Sequence, residues 1–263
     1  MKKLFIFLLL LLAVPVYTVL GQEAPIEKKG LLKSFYIEAG ADFISCYEPD
    51  DKDYIRGDVN PNPYYYYETS YMSALLYKNY LGAKLEIKIM DDMIGVLSGV
   101  RFTRMEGSLG KNTYWSDRSD FLYLLYRQSG TTTEYLKVRD ITQISYYAGI
   151  PLEFRIYPYK DRFIQMYYKV GADFNMLLGG KTKVKFVESS MNQYESDVEN
   201  LIEDPWKFYS TFQLGVGMKI GKAGKPGVNL EACVPEFIAA NIDNSFVSPD
   251  FGGGFRLSIR IPL

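Results

Sequence analysis

From Phe35 onward the chain reads in twos. Phe35, Ile37, Ala39, Ala41 and Phe43 fall on one side of the stretch Phe35–Cys46, and Tyr36, Glu38, Gly40 and Asp42 on the other. Side chains on a strand alternate between faces, so this period predicts a strand. The stretch Leu81–Ile89 alternates more regularly still, with Leu81, Ala83, Leu85, Ile87 and Ile89 opposed to Gly82, Lys84, Glu86 and Lys88. Coiled as a helix, its apolar positions would spread all round the axis. The same pattern returns over 94–105, 142–156, 164–176, 210–220, 228–234 and 255–263. Together these predict eight strands of about ten residues, the length a tilted strand needs to cross a bilayer core.

The connections between these strands alternate in length. Long segments (47–80, 106–141, 179–208 and the medium 236–249) take turns with tight ones around Asp91-Asp92, at "YPYKDR" and at "GKAGKPG". An up-and-down meander with all its long loops at one end produces that alternation. Membrane barrels have this asymmetry, and soluble barrels have no reason for it.

The polar face decides which solvent the apolar face meets. It carries Glu38, Asp42, Glu86, Glu153, Asp173 and Glu231 together with Lys84, Lys88, Arg101, Arg155, Lys169, Lys219, Arg256 and Arg260. A soluble β-protein would bury the apolar face and expose these charges. A membrane barrel would turn the apolar face to lipid and enclose them. The continuous apolar faces, the sorted loops and the leader described below favour the second arrangement. The expected fold is therefore all-β: an eight-stranded antiparallel up-and-down transmembrane barrel with short periplasmic turns and long extracellular loops. An isolated enclosed ion is costly, so the six acids and eight bases are expected to pair as a structural network. An eight-stranded lumen holds side chains and little else, so no open pore is expected. Pro151, inside "GIPLEFRIYPY", lacks the N–H that a ladder needs, so a bulge or a missing ladder bond is expected there.

The first 21 residues, "MKKLFIFLLLLLAVPVYTVLG", combine Lys2 and Lys3 with an apolar run and with small residues at Val19 and Gly21. They read as a signal peptide cleaved between Gly21 and Gln22, followed by a periplasmic lead over 22–33 and the barrel domain over 34–263. Outside the cytoplasm the only two cysteines, Cys46 and Cys233, are competent to form a disulfide, although an intervening strand puts their reach in question. The 263-residue chain has no histidine, which removes the usual base of hydrolytic barrel enzymes. Its net charge of −1 gives no electrostatic reason for a nucleic-acid partner. No catalytic residue, metal site or cofactor is expected.

The leader, the alternating strands, "GIPLEFRIYP" and the following "YYKVGADFNMLLGGK" resemble the PorT-like outer-membrane β-barrel family of Gram-negative bacteria. The last strand, "GFRLSIRIPL", is similar to the C-terminal signal read by barrel-assembly machinery, with Leu263 after Pro262 where the terminal aromatic would stand. The resemblance implies an outer-membrane location and an accessory role in secretion or assembly. A small transport or ligand-binding barrel and a secreted soluble β-barrel binding protein are the alternatives.

The loops offer further candidates. Glu48, Asp50, Asp51 and Asp53 lack the ordered spacing of a calcium loop and read as solvated acids. Arg56-Gly57-Asp58 is a three-residue match of the kind chance supplies, and Tyr64–Tyr67 fit an interfacial aromatic girdle. "DFLYLLYRQ" predicts an extension of the hairpin beyond the bilayer, with a protein contact as the sharper alternative. Met191, Tyr194, Val198, Leu201 and Ile202 recur at helical spacing between Ser189-Ser190 and Pro205. They predict a short amphipathic helix on the rim, with Glu195, Asp197, Glu199 and Glu203 facing out. The expected partners are outer-membrane lipid and a protein that meets these loops.

Overall fold

In the computed structural model the described residues are 32–47, 55–56, 72–90, 92–111, 121–129, 132–159, 162–222, 224–240 and 247–263. The leader with its cleavage site, the first-loop acids, most of the Arg-Gly-Asp tripeptide and Tyr64–Tyr67 lie outside them. The strands are β1 (Leu32–Tyr47), β2 (Ile55–Arg56), β3 (Met72–Ile89), β4 (Ile94–Lys111), β5 (Leu122–Ser129), β6 (Thr132–Ile156), β7 (Ile164–Phe186), β8 (Phe208–Ile220), β9 (Gly227–Ala240) and β10 (Ser248–Pro262). Every pairing is antiparallel. The wall runs β1, β3, β4, β6, β7, β8, β9, β10, and the first and last of these pair with each other, so the sheet closes. The chain is an eight-stranded up-and-down transmembrane barrel. Closure leaves no unpaired edge along the membrane-crossing part of the wall.

Tight turns join β3 to β4, β6 to β7 and β8 to β9 at one end, here the turn end. Met90 and Asp92 adopt positive φ in the first of these turns, and Gly221 and Gly224 do so in the last. The opposite, loop end carries the long connections.

The strands run past the ends that the apolar/polar contrast predicts. β3 begins at Met72, β6 at Thr132, and β7 continues to Phe186. The contrast changes sign along the barrel. In the turn-end part, apolar side chains point out: Leu81, Val100, Ile150, Val170, Val216 and Phe255 are all exposed. In the loop-end part they point in. Ile44, Leu76, Met105, Leu109, Ile141, Val184 and Phe186 are buried there, while Arg104, Glu106, Asp140, Thr142 and Lys183 lie outside. One wall thus passes through two solvents. Lipid selects apolar-out where the barrel crosses the membrane, and water selects apolar-in where it emerges. Two register shifts between β6 and β7 accompany the inversion, at Tyr146/Tyr147 and at Val138/Asp140.

Pro151 causes a missing ladder bond and no bulge. The β4–β6 rungs Ser98↔Leu152 and Arg101↔Gly149 flank two unpaired positions without inserting a residue. Pairing to β7 is continuous through Pro151↔Asp173. The ring nitrogen therefore faces β4, where the absent N–H interrupts the ladder.

Candidate functional site: the filled lumen

Inward positions on all eight wall strands deliver the charges to one axis. Thirteen of the fourteen predicted lumen residues are buried: Glu38, Asp42, Lys84, Glu86, Arg101, Glu153, Arg155, Lys169, Asp173, Lys219, Glu231, Arg256 and Arg260. Lys88, next to the turn, is half-buried.

Glu153 of β6 is the hub. Its carboxylate lies 2.9 Å from Lys84, 2.9 Å from Arg256, 3.2 Å from Arg155, 3.5 Å from Arg101 and 3.7 Å from Lys169. The same cations are shared outward. Arg101 reaches Glu38 and Asp173 at 2.5 Å each, and Lys84 also contacts Glu38. Arg155 and Lys169 hold Glu231 at 2.5 and 2.6 Å. Asp173 also accepts hydrogen bonds from Thr211 and Gln213 at 3.1 Å. Charges removed from water survive only when paired, and each of these charges has an ion-pair partner, although Nε and Nη1 of Arg155 donate, and Oδ1 of Asp173 accepts, no hydrogen bond.

Tyrosines complete the layer. The hydroxyls of Tyr36 and Tyr157 each donate to Glu86 at 2.7 Å, and Tyr167 donates to Glu231 at 2.7 Å. The Arg155 guanidinium lies 5.1 Å from the Tyr36 ring centre and 4.9 Å from that of Tyr167. Lys88 lies 4.5 Å from the Tyr157 ring centre. At the turn end Lys219 donates to the Gln165 amide oxygen at 3.2 Å. Arg260 donates to the carbonyls of Lys222 and Lys225 at 3.1 and 2.7 Å. These two cations are thus held by neutral oxygens, and no carboxylate among the described residues lies within 4 Å of either.

Two further charges belong to this interior although period-two reading misses them. Lys78 lies 3.1 Å from Asp42 and also pairs with Glu236. Lys78 precedes Leu81, where outward Tyr77 and Asn79 blur the apolar contrast. Glu236 is inward because β9 carries a bulge. Cys233 and Glu236 pair with Gly254 and Gly252 on β10, and with Gly215 and Gln213 on β8, so β9 spends three steps where its neighbours spend two. An unbroken alternation would have placed Pro235 inside instead.

Above the ionic layer the lumen is apolar, a departure from the polar lumen predicted throughout. Ile44, Leu76, Met105, Leu109, Tyr147, Trp206 and Tyr209 pack there with Leu122 and Leu124 of β5, Ile55 of β2, and Leu136 and Val138 of β6. From Leu122 onward the "DFLYLLYRQ" stretch is β5, which forms a hairpin with the start of β6, and Leu122 and Leu124 turn into this cluster. The third long loop forms a 3-10 turn segment (Ser189–Tyr194) and a short helix, α1 (Glu195–Glu199). Val198 and Ile202 are buried in the cluster, whereas Leu201 is exposed. The residue before the 3-10 turn is Glu188, and neither Ser189 nor Ser190 caps it. Asp197 on the outer face accepts a 2.6 Å hydrogen bond from Tyr126.

Cys46 and Cys233 do not meet, and both are free thiols. Cys46 pairs with Pro249 on β10, whereas Cys233 pairs with Gly254. Five residues of β10 separate those rungs, which corresponds to ~17 Å along the strand. A disulfide needs Cα atoms within about 7 Å.

An apolar outer wall, a lumen filled by ion pairs and an apolar plug define this molecule as a closed membrane-spanning β-barrel. A solved structure similar to it is the outer membrane protein OprG from Pseudomonas aeruginosa, at 12% identity and a TM-score of 0.35, covering 88% of this chain and 93% of that one. No family model matches the sequence, and no curated protein matches it.

Proposed function

We propose that the chain is an integral outer-membrane barrel that acts as a fixed platform, in a structural, surface-recognition or secretion and assembly accessory role. The observation that carries this reading is the double closure of the lumen. Salt-bridged side chains fill the membrane part, and an apolar cluster fills the emergent part. A conduit needs a continuous polar path, and among the described residues the packing of both layers argues against one. A non-enzymatic role is consistent with the absence of histidine and with the engagement of Glu153 by five cations, which leaves it no lone pair free to act as a base. The resemblance of "GIPLEFRIYP" and "YYKVGADFNMLLGGK" to PorT-like barrels supports the accessory role, after removal of a leader near Gly21/Gln22. The partners proposed are membrane lipid around the wall and a protein at the loop end.

Planar-bilayer recording of the purified, folded protein tests the reading. We expect no steady conductance. A stable open level in wild-type protein would overturn the closed platform in favour of a transport barrel. Recovery of the mature chain as detergent-free soluble protein would overturn the membrane assignment itself.

A further inference from the structure

The outward face of β7 changes character abruptly. Through Val170, Phe174, Met176 and Leu178 it is apolar and exposed. Leu178 is the extra residue of the bulge, since Tyr146 pairs with Gly179 and Tyr147 with Leu177. Without that bulge, odd-numbered positions would continue to point inward, as Asn175 does. With it, Val184 and Phe186 enter the core, and Lys181, Lys183 and Lys185 stand outside as three successive outward positions.

The level of these lysines is set by the apolar face beneath them. Lys181 follows the last exposed apolar residue by three positions, roughly 10 Å along the strand. That is where a bilayer's hydrocarbon gives way to headgroups. Across the rungs, Lys181 and Lys183 face the uncharged Ile144 and Thr142, and Lys185 faces Asp140 at 3.9 Å. The nearby Glu106 is held by Arg104 at 2.5 Å. Among the described residues no carboxylate oxygen lies within 4 Å of the ammonium of Lys181 or Lys183. Lys183 and Lys185 line a shallow groove together with Glu106, Asp140 and Glu195.

We infer that Lys181 and Lys183, with Lys185 beside them, form a site on the outer wall for the phosphate groups of a phosphorylated glycolipid in the leaflet at the loop end. Two ammonium groups on one strand face, two residues apart, suit a phosphate monoester that accepts from both. The inference rests on the membrane-barrel reading of the preceding section. A competing role for these lysines lies in the same geometry. β8 and the residue before it pair with β7 only as far as Leu177, so β7 above that point has an edge unpaired by β8, and edge lysines deter strand addition.

The test uses native mass spectrometry of the full mature protein in detergent. The probes are diphosphorylated lipid A, its dephosphorylated form and inorganic phosphate, each offered to wild type and to K181Q/K183Q/K185Q. Wild type should retain diphosphorylated lipid A at least about tenfold better than the variant, the scale of a few surface lysines each contributing about a factor of five. The dephosphorylated form should be retained equally and weakly by both, and millimolar phosphate should not compete. Equal retention of lipid A by both proteins would overturn the site and leave edge protection as the lysines' role, which increased aggregation of the variant would mark. Competition by inorganic phosphate would overturn the lipid assignment in favour of a free-anion site. Heat-modifiable gel mobility, checked first on both proteins, separates these outcomes from failure of the barrel reading.

Discussion

Lys78 of β3 and Glu236 of β9 form an ion pair inside the barrel, 158 positions apart in the chain. Asp42 of β1 lies on the other side of the same ammonium at 3.1 Å. One cation thus serves two carboxylates, and the two ends of the pair are unequal. Lys78→Met leaves two buried carboxylates facing each other and should destabilise the barrel by ~3–5 kcal/mol. Glu236→Gln keeps an acceptor for Lys78 and leaves one cation against one anion, so it should cost less than ~1.5 kcal/mol. Urea unfolding in lipid vesicles, followed by tryptophan fluorescence, measures both. Equal losses would show that Asp42 does not share the lysine.

Glu153 poses the converse case, one carboxylate among five cations. Glu153→Gln removes the charge that holds Lys84, Arg155, Lys169 and Arg256 together, and should cost ~3–5 kcal/mol. Removing one of those cations as well should recover part of the loss. In a double-mutant cycle, Glu153→Gln with Lys169→Met is expected to be more stable than the sum of the single losses predicts, by ~1–3 kcal/mol. Simple additivity would mean that the hub is not energetically coupled.

The thiols make a separate prediction. Denatured, unreduced mature protein should titrate two thiols per chain, and its mobility on a non-reducing gel should not change on reduction. In the folded barrel Cys46, which is partly exposed, should react with a maleimide faster than the fully buried Cys233. A monomeric species that runs faster unreduced than reduced, with fewer than two titratable thiols, would contradict the separation of their rungs.

The membrane-crossing half of this fold is legible in the sequence because lipid outside and ions inside impose opposite chemistries on alternate residues. Glu38, Lys84, Arg101, Glu153 and Arg256 can be assigned to the lumen from that contrast alone. Legibility fails where the physics changes. Above the bilayer both rules invert, so Leu76, Met105 and Ile141 look like the end of strands that in fact continue. At Glu236 a single inserted residue in β9 moves the parity, and parity is all that a period-two reading has. At Lys78 the outward neighbours Tyr77 and Asn79 are too polar to mark a lipid-facing side. Pro151 is the opposite case, since the missing N–H is a property of the residue and its effect on the β4 ladder follows from chemistry. The pairing of particular charges, such as Arg155 with Glu231, was beyond reach, because it depends on the stagger between strands more than on any one strand's pattern.

On the closed-platform reading the apolar plug and the ionic layer each close the lumen without the other, and this gives the last prediction. Val198 of α1 is fully buried in the loop-end cluster beside Ile202 and Trp206. Val198→Asp places a charge there without a partner, which costs several times the ~1–3 kcal/mol of an unsatisfied neutral group. The helical segment should therefore leave the cluster. Trypsin should then cut the folded variant at Lys207 or within Lys181–Lys185 much faster than wild type, while heat-modifiable mobility of the barrel is retained. Conductance should stay at the wild-type level, because Glu153 and its cations still fill the lumen below. If Val198→Asp opened a steady current instead, the ionic layer would not be a seal, and closure would reside in the plug alone.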